Sequence, residues 1–176
     1  LKQLKLNIYF ILAVILPVSC GTGNAWVSSS LKGINPKKCA IAGFDFRDTK
    51  GAGSIPHIAG EFSDAISLHF LKSGFSVIER SRIDVIMKEL RLQQSGITGT
   101  EDAIRIGKLA NVRFVVFGTG RLDRTGDSWF LNDATIKMVD AETGDIVIMA
   151  TWSGAGLSPI EVANKIGEEI NRQLAL

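Results

Sequence analysis

The sequence contains few of the residues that build catalytic and metal centres. Its 176 residues include two cysteines, two histidines and one tyrosine. No Cys/His group has the spacing of a zinc site, and neither the Gly-x-Ser-x-Gly elbow of hydrolases nor a Walker phosphate-binding loop is present. We therefore predict that the protein is not an enzyme and that it uses no metal and no cofactor.

The chain also lacks a large excess of either charge. It has 20 Lys and Arg against 18 Asp and Glu, and Lys2 and Lys5 are the only charged residues among the first 31. If the segment that holds these two lysines is removed, the remaining chain is formally neutral. Because nucleic-acid-binding proteins normally carry a basic stripe, we predict no nucleic-acid partner. A polytopic membrane protein is excluded as well, since the sequence has only one long apolar run.

That apolar run lies near the N-terminus and has the order of a secretory signal. Residues 8–16 are apolar, follow two lysines, and are too few for a transmembrane helix, which needs about 20 residues. The run ends in Pro17-Val-Ser-Cys20, which is similar to a bacterial lipobox, although Leu is usual where Pro17 stands. We expect residues 1–19 to be removed as a lipoprotein signal peptide and Cys20 to carry the lipid. The alternative is an ordinary signal peptide followed by an incidental cysteine.

The residues that follow the signal divide into a linker and one domain. Residues 20–37 are rich in Gly, Ser and Asn and predict a flexible lipidated tether, in which Trp26 and Val27 either pack on the domain or rest at the membrane interface. Residues 38–176 predict one periplasmic α/β domain. Cys39 opens its first apolar strand and has no disulfide partner if the other cysteine is lipidated, so we expect it to be a small core residue.

The hydrophobic periodicity alternates between strands and helices. Apolar runs such as Phe114–Phe117 are typical of buried strands, and apolar residues recur at every fourth position in helical stretches such as Ile55–Ser73. Ser158 predicts a capping box at the start of the last helix, and Ser81 predicts an acidic variant of that box at the start of the second. The resulting order is β-α-β-α-α-β-β-β-α, which predicts an α/β fold with a mixed β-sheet flanked by helices.

Six short motifs resemble one family of bacterial lipoproteins. In chain order they are Ile41–Phe46, Val77–Ser81, Leu92–Gly96, Gly107–Val112, Val115–Gly118 and Val139–Gly144. Together they resemble the curli-secretion lipoprotein family (CsgG-like) and, more distantly, the LpoB-like lipoproteins. The resemblance covers about residues 38–154. It implies a CsgG-like α/β sandwich that is lipid-anchored at the periplasmic face of the outer membrane.

The resemblance also implies what the protein does. We expect a non-enzymatic periplasmic lipoprotein that binds or scaffolds other envelope or secretion components. The alternative is an oligomeric accessory subunit of a curli-type outer-membrane secretion system, for which a homo-oligomer is expected. The channel-forming relatives insert two membrane hairpins, each of which needs roughly 20 residues. Because residues 119–133 and 155–157 leave no room for such hairpins, we predict a short form that lacks them and does not form a channel by itself.

The candidate partner-binding residues are Trp129 and Phe130. They follow Gly126 and Asp127, which predict the turn of a β-hairpin. Neighbours on a strand point to opposite faces, so one aromatic ring enters the core easily and the other is available to a partner. The alternative is that both rings are buried, one on each face of a sheet covered by helices.

Overall fold

The computed structural model describes residues 21–35, 37–50, 55–90 and 99–175. Within these ranges six strands form one mixed sheet with the order β1-β6-β5-β4-β2-β3. The strand β2 runs parallel to β3 and β4, and every other neighbouring pair is antiparallel. The strands are β1 (Thr22–Val27), β2 (Lys38–Asp48), β3 (Ser76–Val77), β4 (Phe114–Thr125), β5 (Ser128–Asp140) and β6 (Ile146–Ser153).

Helices lie on both faces of this sheet. The helices α1 and α4 contact each other and cover one face, whereas α2 and α3 cover part of the other face, mainly over β2 and β4. The order of the elements confirms the predicted α/β fold and adds one strand, β1, ahead of the predicted ones. None of the described helices is long and apolar enough to cross a membrane. Their bounds are α1 (Pro56–Lys72), α2 (Arg80–Glu89), α3 (Thr100–Ala110) and α4 (Pro159–Leu174), with a 3-10 turn at Ser29–Leu31.

The larger core lies between the sheet and the layer of α1 and α4. Phe44 and Phe46 of β2 meet the Phe62 ring of α1 edge-on, with 4.8 and 4.9 Å between ring centroids. The two β2 rings lie over Gly118 and Gly120 of β4, where an added Cβ would come within 2.8 and 2.7 Å of them and closer still to a backbone carbonyl oxygen of β5. Glycine is therefore required at both positions, because the backbone of β5 and the aromatic rings leave no space for a side chain.

Cys39 lies at the start of β2 within the same core. Its side chain is fully buried and forms no disulfide, so the expectation of a small core residue is confirmed. Burial disfavours the charged thiolate and raises the pKa of the thiol to about 12.

The helix starts agree with the sequence pattern in one case and differ from it in another. Ser158 Oγ accepts a hydrogen bond from Glu161 N at 3.3 Å, and the Glu161 carboxylate accepts one from Ser158 N at 2.8 Å, so the capping box of α4 is confirmed. The box predicted at Ser81 is wrong. The helix α2 begins at Arg80 with Glu79 as its N-cap, which places Ser81 inside the first turn and not at the capping position.

The predicted flexible tether is wrong over most of its length. Thr22–Val27 forms β1, and all six of its residues pair antiparallel with β6. Ala25 and Val27 pack against the core from β1, and Leu31 in the 3-10 turn is 1% exposed. The strand ladder and these apolar contacts hold the segment on the sheet, so the described chain is already part of the domain one residue after Cys20.

Candidate functional site

The hairpin of β4 and β5 extends past the rest of the sheet. The strand β6 ends at Ser153, which pairs with Asp133 of β5. Beyond this level β4 and β5 form four more residue pairs, up to Thr125 and Ser128. At about 3.3 Å per residue, the tip reaches roughly 13 Å beyond the end of β6. The predicted hairpin turn is confirmed, with Gly126 at φ 62° in the left-handed region that favours glycine.

Trp129 is held between the core and a cation. Its ring is half-buried against the core of α1 and α4, and the Arg124 guanidinium lies 5.7 Å from the ring centroid. Arg124 also donates a hydrogen bond to Gly126 O at 2.9 Å and lies 3.5 Å from the Asp127 carboxylate. The turn thus fixes the cation over Trp129, so the hairpin itself sets the position of this ring.

Phe130 points to the face of β5 opposite Trp129. It is half-buried and stands across the ladder from Asp123 of β4. Neither aromatic side chain reaches the full burial that the alternative interpretation required. Both therefore offer part of a ring to solvent near the hairpin tip and stay candidates for partner binding.

A polar network fixes the base of the hairpin to the loop after β2. The Asp123 carboxylate accepts hydrogen bonds from the Thr49 hydroxyl and from Asn132 Nδ2, the latter at 2.6 Å. These two bonds hold the pKa of Asp123 below its usual range. Leu131 N also donates to Leu157 O at 2.9 Å, which joins β5 to the segment before α4. The two aromatic residues thus lie on a hairpin that several hydrogen bonds connect to the rest of the domain.

The residue after the predicted lipidation site belongs to the folded domain. Cys20 lies outside the described residues, but Gly21 is described and lies against the Trp152 ring, which leaves no space for a Cβ at Gly21. The next residue, Thr22, pairs with Ser153 at the end of β6. The described chain therefore begins at the sheet end from which the hairpin projects.

Part of the sheet face opposite α1 and α4 carries exposed side chains. Trp26 of β1 and Met149 of β6 stand directly across from each other and are 55% and 38% exposed. Lys137 of β5 is the next residue in the same row. Two further rows across β1, β6 and β5 complete the surface, which we call the open face: Asn24-Thr151-Thr135 and Thr22-Ser153-Asp133.

The two outermost strands of the open face, β1 and β6, contain no charged residue. Exposed edge strands usually carry charges or proline, which prevent pairing with other chains. The sequence pattern did not locate this surface, because Trp26 falls in a segment predicted to be a tether. The sequence feature that could have predicted this strand is the alternation of Thr, Asn and Trp with Gly, Ala and Val from Thr22 to Val27.

Other polar groups that could suggest chemistry have structural partners. Asp45 accepts a hydrogen bond from Arg47 Nε at 2.8 Å, and Asp48 accepts one from Lys50 N at 2.9 Å, so the acids at the end of β2 form an ion pair and a loop cap. His69 of α1 lies between two asparagines of α4. Within the ranges that the structure describes, no group of three or more His, Cys, Asp or Glu side chains could hold a metal ion.

A protein-family model matches the region that contains the parallel strands of the sheet. The model of the curli production assembly/transport component CsgG matches residues 28–120, which is more than half of the chain. The matched range contains β2, α1, β3, α2, α3 and the first part of β4. Among curated proteins, none matches the chain.

Several solved structures have a similar fold. The C-terminal domain of LpoB from Salmonella enterica is 12% identical, has a TM-score of 0.51, and aligns over 73% of this chain and 89% of that one. The PelC dodecamer from Paraburkholderia phytofirmans is 14% identical, with a TM-score of 0.55 over 88% of this chain and 98% of that one. Lipoprotein GNA1162 from Neisseria meningitidis is 10% identical, with a TM-score of 0.51 over 80% and 99%. At these identities the likeness is one of fold.

Proposed function

The chain belongs to the CsgG family, and on that premise we propose that it is a lipoprotein of the bacterial cell envelope that binds other envelope proteins and performs no catalysis. The lipid is on Cys20, and the membrane is the periplasmic face of the outer membrane. Gly21 follows the lipidated residue, where the inner-membrane retention signal of enteric bacteria would be Asp. The family membership and the lipobox-like Pro17-Val-Ser-Cys20 support this proposal.

The observation that carries the binding role is the projecting hairpin of β4 and β5. Its tip holds Trp129 and Phe130 at fixed positions, because Arg124 covers one ring and the Asp123 network ties the hairpin base to the domain. Aromatic residues that are half-exposed and pre-positioned lose little conformational entropy on binding and are favoured anchors in interfaces. These features support a partner that contacts the hairpin end of the sheet.

A photo-crosslinking amino acid at position 130 tests this proposal in living bacteria. We expect irradiation to join the protein to another envelope protein through position 130. Val85 is a matched control, because it is 57% exposed on α2, away from the hairpin. Equal crosslinking at both positions, or none at position 130 in a folded variant, contradicts binding through the hairpin.

A second candidate function is an oligomeric accessory subunit of a curli-type outer-membrane secretion system. The uncharged strand β1 favours it, because the outer edge of such a strand can pair with a strand of another copy. PelC, which has a similar fold, is a dodecamer. Light scattering on the lipidated protein in detergent, corrected for bound detergent, tests this second function. Several chains per particle support the subunit role, and a monomer contradicts it.

A further inference from the structure

The surface formed by β1 and β6 differs in chemistry from the rest of the sheet. Their 6 and 8 residues include no Asp, Glu, Lys or Arg. The two largest exposed side chains on it, Trp26 and Met149, are cross-strand neighbours and form one apolar patch. Exposed apolar patches with a polar rim mark contacts with a partner or with a membrane.

The charged residues of the open face lie only at its margin in β5. Lys137 stands beside Met149, and Asp133 accepts a hydrogen bond from Arg121 Nε at 2.6 Å. The carboxylate on this face is thus compensated by a cation, whereas the Lys137 side chain can extend its ammonium group toward anionic phosphates. This charge pattern matches the headgroup region of a phospholipid bilayer.

The position of the proposed lipid attachment site is a geometric argument that this patch contacts the membrane. Only Gly21 separates Cys20 from β1, and Gly21 is held against the Trp152 ring. Trp26 follows Cys20 by six residues, which is about 20 Å along an extended strand. A domain that lies along its first strand therefore brings Trp26 to the same membrane surface that holds the lipid.

We infer that the open face of β1 and β6 lies on the lipid bilayer, with Trp26 in the interfacial region between headgroups and acyl chains. This inference rests on the proposed lipidation of Cys20. Tryptophan suits that region because its ring is apolar and its indole N–H can bond to water or phosphate. Because α2 and α3 stand above the other half of this sheet face, the sheet meets the bilayer at a slant, with the β1 edge foremost.

An upright orientation on the same anchor is less favourable. The hairpin tip projects past Ser153 at the anchor end of the sheet and carries Arg124 and Asp127. If the strands stood perpendicular to the membrane, this tip would be pushed into the bilayer, where burying charged groups is costly. Lying along β1 avoids pushing the charged tip into the bilayer and leaves Trp129, which lies on the α1 and α4 side of the sheet, accessible to a protein.

Tryptophan fluorescence on vesicles tests the inference, because the three tryptophans occupy different environments. The lipidated full chain with Trp129→Phe keeps Trp26 and the buried Trp152 as emitters. It is reconstituted into phosphatidylcholine vesicles with or without bromine on the acyl chains. We expect brominated lipid to remove most of the Trp26 emission. We also expect that emission to shift to the blue relative to the soluble Cys20→Ala form.

The matched control carries Trp26→Phe together with Trp129→Phe, so that only Trp152 emits, and brominated lipid should leave its emission unchanged. If Trp129→Phe does not fold, the difference between the wild-type and Trp26→Phe spectra reports the same signal. Unquenched Trp26 in protein that sediments with the vesicles overturns the inference and leaves the anchor intact. If the blue shift grows with the density of protein on the vesicles and brominated lipid does not quench the Trp26 emission, a second copy of the chain covers the face and the inference is overturned. If the expressed protein carries no lipid on Cys20 and stays in solution, the proposed anchor is refuted, and the inference with it.

Discussion

His69 of α1 and Gly167 of α4 share one site between the two helices. The imidazole of His69 occupies the space that a Cβ at position 167 would need, and its Nε2 lies 3.2 Å from Asn164 Oδ1. The helices α1 and α4 form the layer over the larger core, so this approach sets how closely they pack. A substitution at this site therefore tests how closely the two helices pack.

Gly167→Ala should destabilise the domain by about 1–3 kcal/mol, because the added methyl group overlaps a buried ring in a close-packed layer. The measurement is the free energy of unfolding from urea denaturation. Glu168→Ala changes the exposed neighbour on the same helix and should stay within about 0.5 kcal/mol of the parent. Adding His69→Ala removes the overlap, so the double variant should lose less stability than the sum of its single changes. Strictly additive losses would show that the two residues do not compete for the site.

The buried thiol of Cys39 should make stability fall at high pH. Its folded pKa of about 12 lies above the ordinary value of 9.0 for a thiol in the unfolded chain, so between these values the unfolded chain releases a proton that the folded chain keeps. Stability is therefore unaffected by this group below pH 9.0 and falls above it by about 1.4 kcal/mol per pH unit. Urea denaturation from pH 8 to pH 11 measures the slope, which should appear above pH 9.0, inside the window between the two pKa values.

Cys39→Ala supplies the control for that experiment, because other groups also titrate at high pH. The difference in unfolding free energy between wild type and variant isolates the thiol. This difference should be constant below pH 9.0 and should shrink above it. A difference that stays constant up to pH 11 would mean that the Cys39 thiolate is tolerated in the folded protein.

Alanine substitutions at the hairpin tip should separate packing from partner binding. Trp129 packs against the core, so Trp129→Ala should lower the free energy of unfolding by about 2 kcal/mol. Phe130 has no such contact with the main core cluster, so Phe130→Ala should leave the melting temperature nearly unchanged and weaken crosslinking to the partner. If both variants lose several kcal/mol, the hairpin tip is structural and the binding surface lies elsewhere.

Removal of the proposed lipid attachment site should change where the protein partitions. A single acyl chain anchors only marginally, whereas several chains together anchor firmly. Cys20→Ala should therefore move the protein from the detergent phase to the aqueous phase or leave the uncleaved precursor. Phase separation followed by mass measurement of the N-terminal peptide reports both outcomes. A variant with unchanged partitioning and unchanged mature mass would exclude Cys20 as the anchor.

Local patterns predicted the elements that depend on neighbouring residues. The capping box of α4 joins residues three apart, and the turn of the β4–β5 hairpin is set by Gly126, so both could be located from the sequence. The strand β1 could not, because its six residues are stabilised by pairing with β6, far along the chain. The open face was missed for the same reason, since its exposure depends on where α2 and α3 end over the sheet.

The packing of Gly21 against Trp152 also limits how far the domain can search for a partner. A flexible coil over residues 20–37 would have let it roam on average roughly 20–25 Å from its anchor. With β1 in the sheet, one residue separates Cys20 from the folded chain, so a lipid on Cys20 would make the domain move with it in the plane of the membrane. Encounters with other envelope proteins would then take place by two-dimensional diffusion, and a partner of the Trp129 hairpin would have to reach it close to the bilayer surface.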